Sequence, residues 1–330
     1  MKPVTISEIA KHAGVSIKTV SRVLNKEPNV REKTRDKVLA VAKKLKYRPN
    51  FSARSLASNK SFVIAHWHNN ANSDYTSRVL DGAHKACKTA GYFVVGEQLS
   101  PPYKNSARAY LDTYRVDGII LSAPLTDDAE LLQFLQEQEI PFARVSPGTQ
   151  TGISPAAHID NCDSANRMTK LLIDAGHKHI AFICGPPNHI ASKLRQDGFQ
   201  VALKGAGLNL ENCPVYVGDF SVKSGFEAYT NQISKRKDVS AIFAANDAMA
   251  VGVVMAALKH GVRVPDDLAI VGFDGSQLSQ TIWPQLTTLY QPVSEMTQAI
   301  THALLTEIKT GKIDYTPMTF DTHILRRDTM

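Results

Sequence analysis

The sequence has few cysteines, few aromatic residues and no long apolar run. No stretch approaches the ~18–20 apolar residues that a membrane-spanning helix needs. The N-terminal segment MKPVTISEIAKHAG lacks the apolar core of a secretory signal. The four cysteines, Cys87, Cys162, Cys184 and Cys213, are too widely spaced for a metal site or a disulfide framework. We therefore expect a cytoplasmic protein with reduced thiols and no membrane partner.

Enzyme motifs are also missing. The sequence has no P-loop, no nucleophile elbow and no GxGxxG after its first predicted strand, and no paired carboxylates fall in a plausible cleft. His66 and His68 lack the spacing and the acidic partner of a zinc protease. The sequence therefore predicts neither catalysis nor a bound metal or cofactor.

Acidic residues are scarce in the first sixty positions, which hold 15 Lys and Arg against 4 Asp and Glu, a net charge of +11. Residues 61–330 hold 23 Lys and Arg against 27 Asp and Glu, a net charge of −4. A basic module on a mildly acidic body favours nucleic acid as a partner. A plain basic tail is the alternative, but the helical pattern within these residues argues against it.

Residues 1–48 have the pattern of a helix-turn-helix domain. Thr5 and Glu8 form a capping box at the start of a first helix, and Gly14 ends it. Ser16 is placed to cap a second helix, and a third follows. The predicted inner faces consist of Ile6, Ile9, Ala10 and Ala13, then Val20, Val23 and Leu24, then Val38, Val41, Ala42 and Leu45.

The second helix would enter the major groove, where Lys and Arg bond guanine edges and apolar side chains touch thymine methyl groups. A plain solvated helix face is the alternative. The residues predicted to contact DNA in this domain are Thr5, Ser16, Ile17, Lys18, Thr19, Ser21, Arg22, Asn25 and Asn29.

Residues 49–60 are predicted to form a hinge. Pro49 ends the third helix, and Asn50 can cap a short helix that carries Ala53 and Leu56 on one face. Such a helix is too short to be stable alone. The segment is therefore either a flexible linker or a hinge that orders on DNA and inserts Leu56 into the minor groove. In the second case Asn50, Ala53 and Leu56 contact DNA.

Residues 61–330 alternate short apolar strands with helical patterns, which predicts parallel sheets with helices on both faces. The large number of these predicted strands and helices favours two lobes rather than one. Ligands of such sheets bind beyond the carboxyl ends of the strands, which selects Ser122, Phe220, Asn246, Asp247 and Asp274. Helix capping is the alternative role for Asn246 and Asp247.

The sequence closely resembles the lactose/galactose repressor family of bacterial regulators. The head and hinge resemble it through VTISEIAKHAGVSIKTVSRVLN, VREKTRDKV and YRPNFSARSLA, and the core through DGIILSAP, AGHKHIAFICGP, LRQDGF, FAANDAMAVGVVMAALKHGVRVPDDLAIVGFDG and LTTLYQP. The resemblance implies an all-α helix-turn-helix head and a two-lobed α/β core like that of periplasmic binding proteins. Its lobes would comprise about 61–160 plus 292–320 and 161–291 plus 321–330.

The resemblance also implies partners and a location. The chain ends at FDTHILRRDTM, without the C-terminal leucine-heptad helix of the family's lactose-binding member, so we expect a homodimer. A dimer of this kind reads near-palindromic double-stranded operator DNA at the bacterial nucleoid.

By resemblance, Arg195 clamps the oxygens of an effector, Asn246 and Asp274 bind its hydroxyls, and Phe220 covers its ring. The full predicted effector set is Asn69, Tyr75, Ser122, Arg144, His158, Arg195, Phe220, Asn246, Asp274 and Gln291. Arg144 stands where the lactose-binding member has an acid, and His158 where it has an aromatic residue. These departures leave a bulkier or an acidic sugar open.

The sequence therefore predicts a repressor of a carbohydrate-utilisation operon that a saccharide inducer releases. The alternative regulator is a corepressor-type protein that responds to a nucleobase or nucleoside. A transport-type sugar-binding protein would have the same core, but the basic head and the absence of a signal peptide argue against it.

Overall fold

The computed structural model describes residues 4–24, 29–47, 55, 58–69, 73–149 and 151–330. The chain divides into two compact units, Met1–Lys60 and Ser61–Met330. In the first unit lie helices α1 (Ile6–Ala13), α2 (Ile17–Leu24) and α3 (Glu32–Lys44). Four residues predicted to contact DNA, Asn25, Asn50, Ala53 and Leu56, fall outside the described part of the chain, as does most of the predicted hinge.

The three helices enclose one small apolar core. It consists of Ile9, Ala10, Ala13, Val20, Val23, Val38 and Ala42, with the remaining predicted inner-face residues partly buried around them. The predicted faces are thereby confirmed. The capping box is confirmed as well, because the Glu8 amide donates to Thr5 Oγ1 at 3.4 Å and the Thr5 amide donates to Glu8 Oε2 at 2.7 Å.

The second unit contains two six-stranded sheets, one in each lobe. The first sheet has the order β11-β5-β4-β3-β1-β2 and all its pairs are parallel. Its strands are β1 (Val63–His68), β2 (Phe93–Gln98), β3 (Gly118–Ser122), β4 (Phe142–Val145), β5 (Ala156–His158) and β11 (Met318–Thr319). Its helices are α4 (Ser73–Ala90), α5 (Tyr103–Thr113), α6 (Ala129–Glu137) and α12 (Val293–Thr310).

The second sheet has the order β12-β10-β9-β8-β6-β7, and β12 is its antiparallel member. Its strands are β6 (Ile180–Cys184), β7 (Val215–Val217), β8 (Ala241–Ala244), β9 (Ala269–Asp274), β10 (Thr287–Tyr290) and β12 (His323–Leu325). The helices of this lobe are α7 (Asn161–Asp174), α8 (Ile190–Gly205), α9 (Val222–Asn231), α10 (Asp247–Lys259) and α11 (Leu278–Thr281).

The chain passes between the lobes three times, after β5, after β10 and between β11 and β12. The second passage leads into α12, which returns to the first lobe and packs on α4, β4 and β5. Both sheets point the carboxyl ends of their central strands toward these passages, so the crevice between the lobes collects side chains from each sheet.

Eight apolar runs of the core, FVIAHW, YFVVGEQ, GIILSA, PFARVS, HIAFICG, VYVGDF, SAIFAAN and LAIVGFDG, predict strands, and all eight are confirmed. The strand in VYVGDF ends at Val217, before Phe220. The structure adds β5, β10, β11, β12 and the long helix α12. Cys87, Cys184 and Cys213 are buried, Cys162 is partly exposed, and all four are free thiols, as expected. Among the described helices, none is long and apolar enough to cross a membrane.

Candidate functional site

The head presents its predicted DNA-contacting side chains on its surface. Thr5, Ser16, Lys18, Arg22 and Asn29 are exposed, and Thr19 and Ser21 are partly exposed. Ile17 is 51% exposed although it is a large apolar residue. Ser16 caps α2, because its Oγ accepts from the Thr19 amide at 3.1 Å. The first turn of α2 therefore offers an apolar and a basic side chain next to each other, as a major-groove reader requires.

A cavity of about 430 Å³, including its open mouth, lies between the two lobes of the second unit. The lining residues are Tyr75, Ala123, Ser146, His189, Ala191, Arg195, Phe220, Asn246, Asp274 and Gln291. Six of the ten predicted effector residues are among them, and they come from both lobes.

Arg195 projects from α8 and is buried, with 7% of its surface exposed. Its Nε donates to Asn161 Oδ1 at 2.9 Å and its Nη1 donates to the Ala245 carbonyl at 2.6 Å. Its guanidinium lies 3.7 Å above the centre of the Phe273 ring. Arg195 is thus a fixed cation in a low-dielectric setting, not a surface ion pair.

Asp274 and Gln291 form a tightly bonded pair at the base of the cavity. Gln291 Nε2 donates to Asp274 Oδ1 at 2.5 Å, and the Gln291 amide donates to the Asp274 carbonyl at 3.2 Å. Arg195 Nη1 lies 3.7 Å from Asp274 Oδ1. Burial raises the pKa of Asp274 to about 6, against the opposing attraction of Arg195 and Arg78.

Phe220 adopts a backbone conformation that is rare for an aromatic residue, with φ of 68°. Asn246 Nδ2 donates to the Phe220 carbonyl at 3.0 Å and helps to hold this conformation. Gly185 makes room for the ring, since a Cβ at that position would lie 2.1 Å from Phe220 Cζ. The aromatic wall of the cavity is therefore built from several parts of the chain, which is typical of functional strain.

Asn246 serves the fold and faces the cavity at once. Its Oδ1 accepts from the Met249 amide at 2.9 Å and so caps α10. Its neighbour Asp247 points away from the cavity, into the protein. There it accepts from the Ser276 amide at 2.7 Å and from the Thr288 hydroxyl.

The structure brings residues to the cavity that the sequence did not indicate. His189 immediately precedes α8 and packs edge-on against Phe220, with ring centres 4.9 Å apart. Burial, then the charge of Arg195, lowers the pKa of His189 to about 4, so the ring is neutral at neutral pH. His189 Nδ1 is buried and has no hydrogen-bond partner within the described part of the chain. Ser146, which follows β4 of the first lobe, also lines the cavity.

Arg78 is a further residue that the sequence analysis missed. It projects from α4 of the first lobe, and its Nη1 donates to the Asp274 carbonyl of the second lobe at 2.9 Å. Its Nη2 donates to the carbonyl of Gln291, where the chain passes between the lobes. One guanidinium therefore holds the backbones of two cavity residues from the opposite lobe.

The other four predicted effector residues lie outside the cavity, each bonded within the first lobe. Ser122 is fully buried against His66 Nε2 at 3.0 Å, and the next residue, Ala123, lines the cavity instead. His158 Nε2 lies 3.2 Å from the Thr319 hydroxyl, and Asn69 Nδ2 donates to the Tyr103 hydroxyl at 2.9 Å.

Arg144, the fourth, is fully buried behind the cavity. It donates to Ser154 Oγ and to the Thr149 carbonyl, both at 2.9 Å, and to the Thr126 carbonyl at 3.2 Å. Burial lowers its pKa to about 10. Arg144 thus braces the loop after β4, and its charge is not presented to a ligand. In the described residues, moreover, no three His, Cys, Asp or Glu side chains cluster as metal ligands would.

Comparison with known proteins agrees with this architecture. Residues 5–50 match the model of bacterial regulatory proteins of the lacI family, and residues 169–330 match the periplasmic binding protein-like domain. The ribose operon repressor of Escherichia coli K12 is 32% identical over 306 residues, which are 92% of this chain and 93% of that protein.

Two solved structures are similar over nearly the whole chain. The Lac repressor dimer bound to operator and the anti-inducer ONPF is 28% identical, with a TM-score of 0.81 over 99% of both chains. The complex of the transcriptional regulator CelR with cellobiose is 29% identical, with a TM-score of 0.75 over 99% of this chain and 100% of that one.

A helix-turn-helix head and a two-lobed core with a cavity between its lobes define a DNA-binding transcriptional regulator that responds to a small molecule. The chain belongs to the lacI family of bacterial regulatory proteins.

Proposed function

We propose that the protein represses a carbohydrate-utilisation operon and that a saccharide bound between its lobes releases it from the operator. The observation that carries this proposal is the cavity itself, which combines an aromatic ring with polar side chains from both lobes. Sugars present hydroxyls around their edge and C–H groups on their faces. They therefore need dense polar pairs together with an aromatic surface.

The proposed roles follow from the contacts. Phe220 covers one face of the sugar ring, while Asp274 and Arg195 bond its hydroxyls. After Asn246 has capped α10 and bonded Phe220, one of its side-chain N–H groups remains. Gln291 keeps its side-chain carbonyl oxygen. Both groups can therefore bond the ligand as well. Tyr75 extends this set from the first lobe.

Relatives support a sugar ligand. The ribose operon repressor is named for a sugar operon, and the CelR structure contains cellobiose. The same resemblance supports action on operator DNA, because the Lac repressor structure is a dimer on its operator. A regulator of this kind works at the nucleoid in the cytoplasm and needs no catalysis.

We further propose that the ligand acts by shifting the arrangement of the lobes. A ligand that touches both lobes favours the arrangement that suits it best. The chain enters the first lobe at Ser61 and Phe62, whose amides donate to the Asp117 carboxylate at 2.7 and 2.9 Å. Any rotation of the first lobe therefore moves the point at which the chain from the head enters the core.

A homodimer is the proposed assembly. Helices α10 and α11 contact each other, and both expose large apolar side chains. Trp283, just after α11, is 79% exposed. Exposed apolar side chains in one region indicate a protein partner, and a second copy would give the two-fold symmetry that a near-palindromic operator requires. Trp283→Asp should shift the protein toward monomer in sedimentation velocity and weaken operator binding. An unchanged sedimentation coefficient would contradict this surface.

The deciding experiment is a titration of operator binding with two panels of small molecules. The operator is a duplex selected by the full-length protein from random DNA. The panels are neutral sugars (D-ribose, D-galactose, D-glucose, cellobiose) and purines (hypoxanthine, guanine, adenosine). An inducer weakens operator binding and a corepressor strengthens it. Release by a sugar supports the proposal, whereas tighter operator binding with a purine, and no response to any sugar, would refute it.

The control variant is Arg195→Ala. It should bind the operator as the wild type does and lose the response, because the unliganded arrangement survives while the ligand loses its clamp. A normal response at ordinary sugar concentrations would place the effector elsewhere.

The nucleobase alternative rests on one observation, the perpendicular contact of His189 with Phe220. The face of Phe220 would also suit a purine, and the neutral His189 ring, set at 72° to Phe220, offers a buried nitrogen to it.

A further inference from the structure

The charged groups around the cavity are balanced within the protein. Arg195 lies 3.7 Å from the Asp274 carboxylate and is bonded to Asn161 and to the Ala245 carbonyl. Its face is covered by Phe273. Two of the five N–H groups of this cation are therefore bonded within the protein, and its charge is balanced by Asp274 before any ligand arrives.

The oxygens of Asp274 also accept hydrogen bonds from within the protein. Gln291 Nε2 donates to its carboxylate, and Arg78 donates to its backbone carbonyl. Arg78 in turn lies 3.9 Å from Asp74. Behind Asp274, the buried carboxyl of Asp247 accepts from the Ser276 amide and the Thr288 hydroxyl.

This cluster carries no surplus of positive charge. Within the described residues around the base of the cavity, two guanidinium groups face three carboxyl groups. They are Arg78, Arg195, Asp74, Asp247 and Asp274. Burial and the neighbouring Asp274 raise the pKa of Asp247 to about 7, so a large fraction of Asp247 is protonated at neutral pH. The net charge is therefore close to zero or −1.

The remaining surroundings do not alter this balance. His189 is neutral, because burial lowers its pKa to about 4. Arg144 and Asp127 lie behind the cavity in the first lobe and add one charge of each sign.

We propose that the effector site selects an uncharged ring and rejects the corresponding sugar acids and sugar phosphates. An anion that enters the cavity loses its water and meets the Asp274 carboxylate without gaining an unpaired cation, which is unfavourable. A neutral ring bonds the same groups through hydroxyls at no such penalty. This inference deepens the proposed function and rests on it.

The test compares matched neutral and anionic ligands by isothermal titration calorimetry on the full-length protein. The pairs are D-glucose with D-glucuronate and glucose 6-phosphate, D-galactose with D-galacturonate, D-ribose with ribose 5-phosphate, and guanosine with guanosine monophosphate. The neutral member of a binding pair should bind on the order of 100-fold more tightly. An anionic member that binds as tightly as its neutral partner would overturn the proposal, as would silence across the panel.

The nucleoside pair separates this inference from the proposed function. If guanosine binds and no sugar does, the saccharide proposal fails, yet the guanosine pair still reports charge selection. If a sugar acid or phosphate binds best, the saccharide proposal stands and charge selection fails.

Asp274→Asn tests the physical cause. The substitution keeps the shape and the acceptor for Gln291 but leaves Arg195 without its carboxylate. The ratio of neutral to anionic affinity should therefore fall by about tenfold or more, whatever happens to the absolute affinities. Asp266→Asn is the control, because Asp266 is exposed in the same lobe and its partner Arg263 retains Asp267. A ratio that stays at the wild-type value in Asp274→Asn would contradict the charge argument.

Discussion

Replacing Gly185 with alanine should damage the cavity while leaving the fold intact. A Cβ at this position would lie 2.1 Å from Phe220 Cζ and 2.4 Å from Cε1. Because carbon atoms in contact normally lie about 3.5–4.0 Å apart, the ring must move by about 1.5 Å or more. Gly185 is not among the glycines with a positive φ, so its backbone can accept an alanine. The effect of the substitution therefore comes from the displaced Phe220 ring.

The magnitude follows from what the ring can do. Its tip is the mobile end of the side chain, so rotation relieves the clash and the loss of stability should be about 1–2 kcal/mol. For a domain of this size that corresponds to a fall in melting temperature of roughly 2–6 °C. Effector binding should also weaken, by about tenfold or greater, because the ring leaves the place where it covers the ligand.

Thermal denaturation and calorimetry with the sugar that binds the wild type would measure both quantities. The matched control is Gly205→Ala near the end of α8, where nothing lies within 4 Å of the new Cβ and stability should be equal or slightly higher. Operator binding without effector should stay normal in both variants. Wild-type effector affinity in Gly185→Ala would refute the view that Gly185 exists to seat Phe220.

Three further predictions concern other parts of the chain. Lys18→Ala or Arg22→Ala should each weaken the selected operator by about 1–3 kcal/mol in a mobility-shift titration, whereas an equal loss on random DNA would indicate phosphate contacts only. Arg78→Met should lower effector affinity about tenfold in calorimetry and Arg78→Lys should lower it less, because only lysine keeps a charged donor between the lobes. The third concerns pH. Because the folded pKa of Asp247 is raised above its unfolded value of about 4, the stability that this carboxyl contributes should be lost as pH rises from about 4 through 7. The melting temperature of the wild type relative to that of Asp247→Asn should therefore fall over that window. Parallel profiles would contradict this account.

Much of the fold could be predicted because its signals are local. The capping box at Thr5 and the apolar faces of α1, α2 and α3 depend on residues three or four positions apart. The central strands of both sheets are continuous apolar runs, as buried parallel strands must be. Three of the elements that were missed are of a different kind. β5 and β12 have three residues each and β11 has two, so they are strands only because distant parts of the chain pair with them.

The cavity could be predicted where a side chain directly follows a strand. Asp274 and Asn246 satisfy that rule and line the cavity. Ser122 satisfies it too, yet its hydroxyl turns to His66, and a one-residue shift places Ala123 at the surface of the cavity. Arg78 lies on a helix of the first lobe, and only the packing of the two lobes brings it to the strand ends of the second. A signal for His189 existed in its position between β6 and α8, since the loop after a strand is where this fold binds ligands.

The uncertainty over Asn246 shows how one side chain can serve two purposes. From the sequence, capping and cavity lining are alternative roles, but an amide has an acceptor end and a donor end. The acceptor end of Asn246 caps α10 at Met249, and the donor end holds the Phe220 carbonyl and lines the cavity. Replacing Asn246 with aspartate would keep the cap and remove the donor, so the strained backbone of Phe220 would lose its support while α10 would not. For the same reason, a polar residue at a strand end is weak evidence of a ligand contact. Its donors and acceptors often bond other groups of the protein, and a ligand can bond only those that remain.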